Sequence, residues 1–173
     1  EQRAMWASQL ETALLNIRKG TRASLVPGWQ LDVVRGGLWA SAAHGDLEAV
    51  RRHLSLKPDT IDNQDAMGMT PLHWACLRGH LEIVSQLIRE GCDIWSMNNG
   101  LNTPLLCSAA GGHDAVFRRL LAAGADISVR NLSDMDSLFM VALFGWKSPS
   151  YSNIIETLEE YGVEGKIVNH KSG

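Results

Sequence analysis

Thr70-Pro71-Leu72-His73-Trp74-Ala75, followed by Gly79-His80-Leu81-Glu82-Ile83-Val84, is the stretch that decides the fold. Moved along by 33 residues, the chain reads Thr103-Pro104-Leu105-Leu106-Cys107-Ser108 and then Gly112-His113-Asp114-Ala115-Val116-Phe117. Gly91 and Asp93 return as Gly124 and Asp126 at the same shift. A weaker copy follows at Asp136-Ser137-Leu138-Phe139-Met140-Val141-Ala142, and a truncated one precedes at Leu38 to Val50. A fixed period of this length marks a stacked array of small helical units. Each unit cannot bury its own apolar face, so neighbours must stack.

Within a copy the residues specify two short helices. Thr70 and Thr103 supply N-cap hydroxyls for free N–H groups, and Pro71 and Pro104 stand at the first helical position, where a missing N–H costs nothing. The first helix spans 71–78, with Leu72, Ala75 and Cys76 on its buried stripe. Gly79 ends it at a tight reversal. The second helix spans 81–89 and turns Ile83, Val84, Leu87 and Ile88 inward. The polar stretch Ser96 to Asn102 then forms a projecting β-like finger. In copy four Gly145 to Gly162 is 17 residues, against 12 from Gly79 to Gly91, so five extra residues lie between its helices, within Trp146 to Ser152. Its second helix is expected at 153–161, with Glu156, Glu159 and Glu160 as the polar outer face of a closing cap.

The pattern resembles the ankyrin repeat over about residues 36–163, which implies an all-α solenoid of helix–turn–helix units joined by hairpin-like fingers. The expected copies are 36–64, 65–97, 98–130 and 131–163. Residues 1–35 hold a further helix with Trp6, Leu10, Ala13, Leu14 and Ile17 on one face, expected to cap copy one, and a Pro/Gly-punctuated linker. Residues 164–173 read as a frayed tail. The resemblance also implies that His73 ties neighbouring loops by hydrogen bonds. The asparagine that is hydroxylated in some ankyrin proteins would fall at Trp95 and Ser128, so that modification is not expected in these two copies.

Composition excludes other classes. The chain has 173 residues, 45% hydrophobic and 20% charged, with a formal net charge of −3 from 16 basic and 19 acidic side chains. A protein devoted to neutralising phosphates would be basic, and no apolar run approaches the roughly 20 residues of a membrane span. Three scattered cysteines make no disulfide framework, which fits a reducing, intracellular compartment such as the cytoplasm. His73 and Cys76 lie three apart on one helix, but a zinc site would need further converging ligands. We expect no metal, no cofactor and no catalytic site, since phosphate-binding loops, nucleophile elbows and paired carboxylates are absent. Asn131-Leu132-Ser133 matches a glycosylation sequon by chance, and Arg51, Arg52, Arg118 and Arg119 are solvated residues on the convex face.

By the resemblance, ligands meet the finger tips and the concave face of the first helices. The candidate partner-binding residues there are Met67, Met69, Leu77, Arg78, Trp95, Met97, Asn99, Asn102 and Met135. Methionine-rich surfaces adapt to varied partners, and Trp95 fills a slot where the family carries a turn-stabilising asparagine. The expected function is a non-catalytic scaffold or adaptor that binds another protein, monomeric in isolation. Two alternatives stand beside it. Leu72-His73-Trp74-Ala75-Cys76 looks like the ankyrin region of some acyl-CoA-binding proteins and protein acyltransferases, which would make the chain a regulatory or substrate-recruiting part of a larger enzyme. An architectural subunit would instead use Trp6, Trp29 and the tail to lock into a large assembly.

Overall fold

The computed structural model describes residues 37–144 and 150–161. The N-terminal helix expected in 1–35, the insertion residues 145–149 and the tail lie outside the described residues. Among the described residues eight α-helices form four pairs: α1 Leu38–His44 with α2 Leu47–Leu56, α3 Pro71–Arg78 with α4 Leu81–Arg89, α5 Pro104–Gly111 with α6 Asp114–Ala122, and α7 Ser137–Phe144 with α8 Ser150–Glu160. A 3₁₀ turn, Pro58–Thr60, follows α2. No strand occurs among the described residues. The architecture is an all-α repeat solenoid.

The first helices α1, α3, α5 and α7 stack in one row and pack more closely on one another than do the second helices α2, α4, α6 and α8. Small side chains permit this: Ala75, Cys76 and Ala109 lie between the first helices and are fully buried. Closer stacking in one row than in the other curves the array, with the first helices on its inner side. The second helices close the core with Ile83, Val84 and Leu87, then Val116, Phe117 and Leu120, then Ile154 and Leu158, all essentially without solvent contact.

The caps follow the sequence. Thr70 Oγ1 accepts the His73 N–H at 3.4 Å, and Thr103 Oγ1 accepts that of Leu106 at 3.3 Å. His73 Nδ1 returns the favour to the Thr70 N–H at 3.2 Å, which completes a capping box built on histidine instead of the usual glutamate.

Two expectations for copy four need correction. Its second helix begins at Ser150, three residues before the expected start. The early start puts Tyr151 on the helix, half-buried, with its hydroxyl donating to the Ala110 carbonyl at 2.9 Å. In the earlier copies a histidine does this: His80 Nε2 donates to the Ala43 carbonyl and His113 Nε2 to that of Leu77, both at 3.1 Å. The five extra residues therefore carry Tyr151 into the histidine slot. The second correction concerns the cap. Glu156 and Glu159 are exposed as expected, but so are Ile155, Phe139 and Leu143, so this end of the array is not closed by polar side chains alone.

The fingers are Asx turns, not β-ladders. Asp65, Asn98 and Asn131 recur every 33 residues, and each side-chain Oδ1 accepts two backbone N–H groups, from the residues two and four further on, at 2.8–3.0 Å. The residue three further on takes a left-handed conformation: Gly68 at φ +74°, Leu101 at +56° and Asp134 at +59°. Glycine adopts this freely and aspartate tolerates it, but a leucine there carries about 1–2 kcal/mol of strain. Leu101→Gly should therefore stabilise the protein by about 0.5–1 kcal/mol, after allowing for the larger unfolded-state entropy of glycine. In a chain of this length that is a rise in Tm of about 2 °C, whereas Asp134→Gly should change Tm little. A thermal melt of both variants checks this, and an unchanged or lowered Tm for Leu101→Gly would mean that the side chain contributes more than the strain.

Candidate partner-binding face

The nine sequence-selected residues divide into two groups. Met69, Leu77 and Asn102 are buried, which takes them off the surface available to a partner. Met69 and Asn102 share one position in successive fingers and do one job. Asn98 Nδ2 donates to Met69 Sδ at 3.1 Å, and Asn131 Nδ2 donates to Asn102 Oδ1 at 2.9 Å. Each turn residue thus laces its finger to the one before. Met135, half-buried at the same position of the next finger, packs against the core.

Leu77 lies at the far end of α3. Helical rise puts it about 10 Å from the finger at Thr70, and its carbonyl accepts the His113 hydrogen bond. Arg78 beside it is half-buried, with Nε enclosed and without a hydrogen-bond partner, and burial pulls its guanidinium pKa below the ordinary value. The structure therefore does not gather Met69, Leu77 and Trp95 into one centre.

The second group is open. Trp95 is 59% exposed. Its backbone N–H is tied to Asp93 Oδ1 at 2.9 Å, and its indole Nε1 donates to the Gly124 carbonyl at 3.3 Å. The ring therefore lies against the loop that ends α6, on the second-helix side of the finger. Met97 is exposed, with its carbonyl accepting from Gln64 Nε2 at 3.2 Å. Asn99 is exposed but occupied, since its N–H donates to the Met67 carbonyl at 3.1 Å and its Nδ2 to that of Ala66 at 3.2 Å. Met67 is half-buried under it.

Two residues outside the selected nine extend this surface. Leu132 is 64% exposed and Leu101 is also exposed. The Leu132 N–H donates to the Gly100 carbonyl at 2.9 Å, which sets Leu132 beside Leu101 at the tips of consecutive fingers. The sequence signal for both was their departure from pattern: Leu101 stands where Gly68 stands one repeat earlier, and Leu132 where Asn99 does.

His73 forms the expected tie between loops. Its ring is fully buried, and Nε2 meets the Asn102 carbonyl at 2.9 Å. A carbonyl can only accept, so the proton sits on Nε2, and Nδ1 is left to accept from Thr70. Burial lowers the pKa to about 4, against weaker opposing pulls from the Asn102 hydrogen bond and from Asp65 and Asp93. All three cysteines are buried and unpaired. Burial pushes the Cys92 and Cys107 thiols up to about 12 and that of Cys76 well above its ordinary value, so they are inert packing groups. Among the described residues no three His, Cys, Asp or Glu side chains gather as metal ligands. No described helix is long and apolar enough to cross a membrane.

Comparison with known proteins agrees with this geometry. The family described as ankyrin repeats (three copies) matches residues 38–131. Mouse protein phosphatase 1 regulatory subunit 27 is 33% identical over 108 residues, covering 58% of this chain and 70% of that protein. The Drosophila melanogaster transient receptor potential cation channel subfamily A member 1 is 26% identical over 135 residues, covering 76% of this chain but 11% of the channel. A Candida albicans palmitoyltransferase is 32% identical over 83 residues, covering 48% of this chain and 10% of the enzyme. Ankyrin repeats are non-catalytic protein–protein interaction modules, and catalytic parts of relatives such as the palmitoyltransferase lie elsewhere in those chains. By the family match, the spacing and the fold, the chain belongs to the ankyrin-repeat family.

Proposed function

We propose that this array is a scaffold or adaptor that holds another protein against its finger side, with Trp95, Met97, Leu101 and Leu132 as the contact surface. The observation that carries this reading is their exposure on two consecutive loops whose polar side chains are already engaged in the turns and ties between fingers. Large apolar residues on otherwise satisfied loops suit a partner that supplies apolar area. The concave first-helix face contributes less than the sequence implied, because Leu77 is taken up by packing. Similarity to a phosphatase regulatory subunit over most of its length supports a regulatory, non-enzymatic member of a complex. Three buried, unpaired thiols fit a reducing compartment.

The test is affinity capture of the partner followed by calorimetry. Trp95→Ala should weaken the complex by about 2 kcal/mol, roughly thirtyfold, with little change in Tm. Arg51→Ala with Arg118→Ala on the second helices should change affinity by less than about 0.5 kcal/mol. If Trp95→Ala leaves affinity intact and lowers Tm by several degrees, the indole is a strut against the end of α6 and the reading fails.

A second reading has its own support. The match to a palmitoyltransferase favours a substrate-recruiting region of a larger enzyme. A catalytic domain in the same gene product would decide for it.

A further inference from the structure

The loops that carry the fingers hold a large excess of negative charge. Loops 57–69, 90–103 and 123–136 contain eight acidic residues and two basic ones, Lys57 and Arg130, whereas the whole chain contains 19 and 16. Arg130 lies between Asp134 and Asp136 at 3.1 and 3.5 Å, one cation for two carboxylates. Among the described residues no other carboxylate of these loops is within ion-pair distance of a lysine or arginine. Arg51 and Arg118 stand on the second helices and are paired there, with Glu48 and with Asp114 and Glu160.

These carboxylates border the exposed apolar side chains. Trp95 is tied through its N–H to Asp93, and its indole reaches the Gly124 carbonyl, two residues before Asp126. Asp93 and Asp126 are both exposed. Asp62 joins them from the preceding loop, its Oδ1 accepting the Asp93 N–H at 3.0 Å. At the other end of the surface, Leu132 shares its turn with exposed Asp134. The charges are fixed in place. Oδ1 of Asp93 accepts the N–H of Trp95, and Oδ1 of Asp126 that of Ser128. The Ser128 hydroxyl and N–H hold the Asp126 carboxyl below its ordinary pKa. Apolar area rimmed by fixed negative charge rejects an acidic partner and draws a basic one. A lysine or arginine laid over the exposed Trp95 ring also meets the negative face of the indole.

Resting on the assignment of Trp95, Met97, Leu101 and Leu132 as the contact surface, we propose that the partner presents a basic, apolar segment, in which lysine or arginine is interleaved with large apolar side chains. The apolar residues cover Leu101, Leu132 and Met97, and the cations meet Asp93 and Asp126 on either side of Trp95.

The test uses the full chain and three labelled synthetic peptides of equal length, in which leucine alternates with lysine, with serine or with glutamate. Fluorescence anisotropy reads binding. The lysine peptide should bind about tenfold more tightly than the serine peptide at low salt, and the glutamate peptide most weakly. The lysine advantage should shrink as salt is raised to about 0.5 M. Asp93→Asn with Asp126→Asn keeps an oxygen for each turn N–H and removes the charge. It should abolish most of the lysine advantage and leave the serine peptide unchanged. Leu132→Ser and Trp95→Ala should each weaken both peptides. Equal affinity for the lysine and serine peptides, with both weakened by Leu132→Ser, keeps the surface and overturns the basic partner. A lysine preference that the asparagine pair does not move overturns it too, as does a lysine peptide that fails to bind. Lysine-peptide binding indifferent to Leu132→Ser and Trp95→Ala overturns the contact surface itself, and the proposal with it. A dimer in sedimentation that Leu132→Ser dissociates puts a second copy on this surface and likewise overturns the proposal.

Discussion

Lowering the pH from 6.5 to 4 should remove about 3 kcal/mol of stability through His73 alone. In the folded protein burial holds its pKa near 4, whereas the unfolded chain titrates near the ordinary 6.5. Between these values the unfolded state binds a proton that the native state refuses, so stability falls as pH falls. The contribution is complete above pH 6.5, declines through the window, and is gone below about pH 4. His113 adds in the same direction, because burial lowers its pKa too, so the single-site effect has to be isolated by difference. His73→Gln removes the titration. It should be less stable than wild type at pH 7.5, through loss of the Asn102 tie, yet show a flatter decline between pH 6.5 and 4. Urea unfolding at half-unit pH steps measures both slopes. Parallel curves for wild type and variant would mean that His73 takes up its proton in the native state without strain.

The effect is local to one joint. Leu106 and Phe139 hold the His73 position in copies three and four, and Trp39 holds it in copy one. Trp39 Nε1 still donates across, to the Asn63 carbonyl at 2.6 Å. Leu106 offers no donor, and that joint is tied instead by Asn131 reaching Asn102, by the Leu132 N–H on the Gly100 carbonyl and by the Tyr151 hydroxyl on that of Ala110. Mild acid should therefore loosen the contact between copies two and three before the others.

The parts of the molecule that a 33-residue shift exposes were legible in the sequence. Threonine caps, glycine reversals and the apolar stripe of α4 all repeat in residue type, and the helices formed at Pro71–Arg78 and Leu81–Arg89. The parts that break the shift were not. Tyr151 hides behind five extra residues and replaces a histidine by a different chemistry that shares only a ring and a donor. Met69 looked like surface because it sits in a finger, but the finger-lacing bond needs any acceptor at that point, and a thioether serves where Asn102 offers an amide oxygen. Leu101 took the glycine position against its own backbone preference, and no helix or strand propensity flags a single strained residue in a loop.

The ring-over-turn contact gives the second large prediction. Gly79 has φ +78°, and a Cβ built on it would fall 2.5 Å from His113 Nδ1. Gly45 meets His80 and Gly112 meets Tyr151 in the same manner, so each reversal is floored by a ring from the following copy. Gly79→Ala should cost about 3 kcal/mol: about 1–2 from the left-handed backbone and about as much again from displacing the ring and its bond to the Leu77 carbonyl. Gly91 separates these two terms. Its φ is +84°, yet nothing lies within 4 Å of its Cβ position, so Gly91→Ala should cost only the backbone part. Adding His113→Ala to Gly79→Ala removes the ring that the new methyl strikes, and the double variant should be less destabilised than the sum of the singles by about 1 kcal/mol or more. Chemical denaturation of the three single variants and the double variant supplies the cycle. If Gly79→Ala and Gly91→Ala cost the same and the cycle closes additively, the rings rest on the turns without bearing on them. The histidine and tyrosine would then join the copies through their carbonyl hydrogen bonds alone.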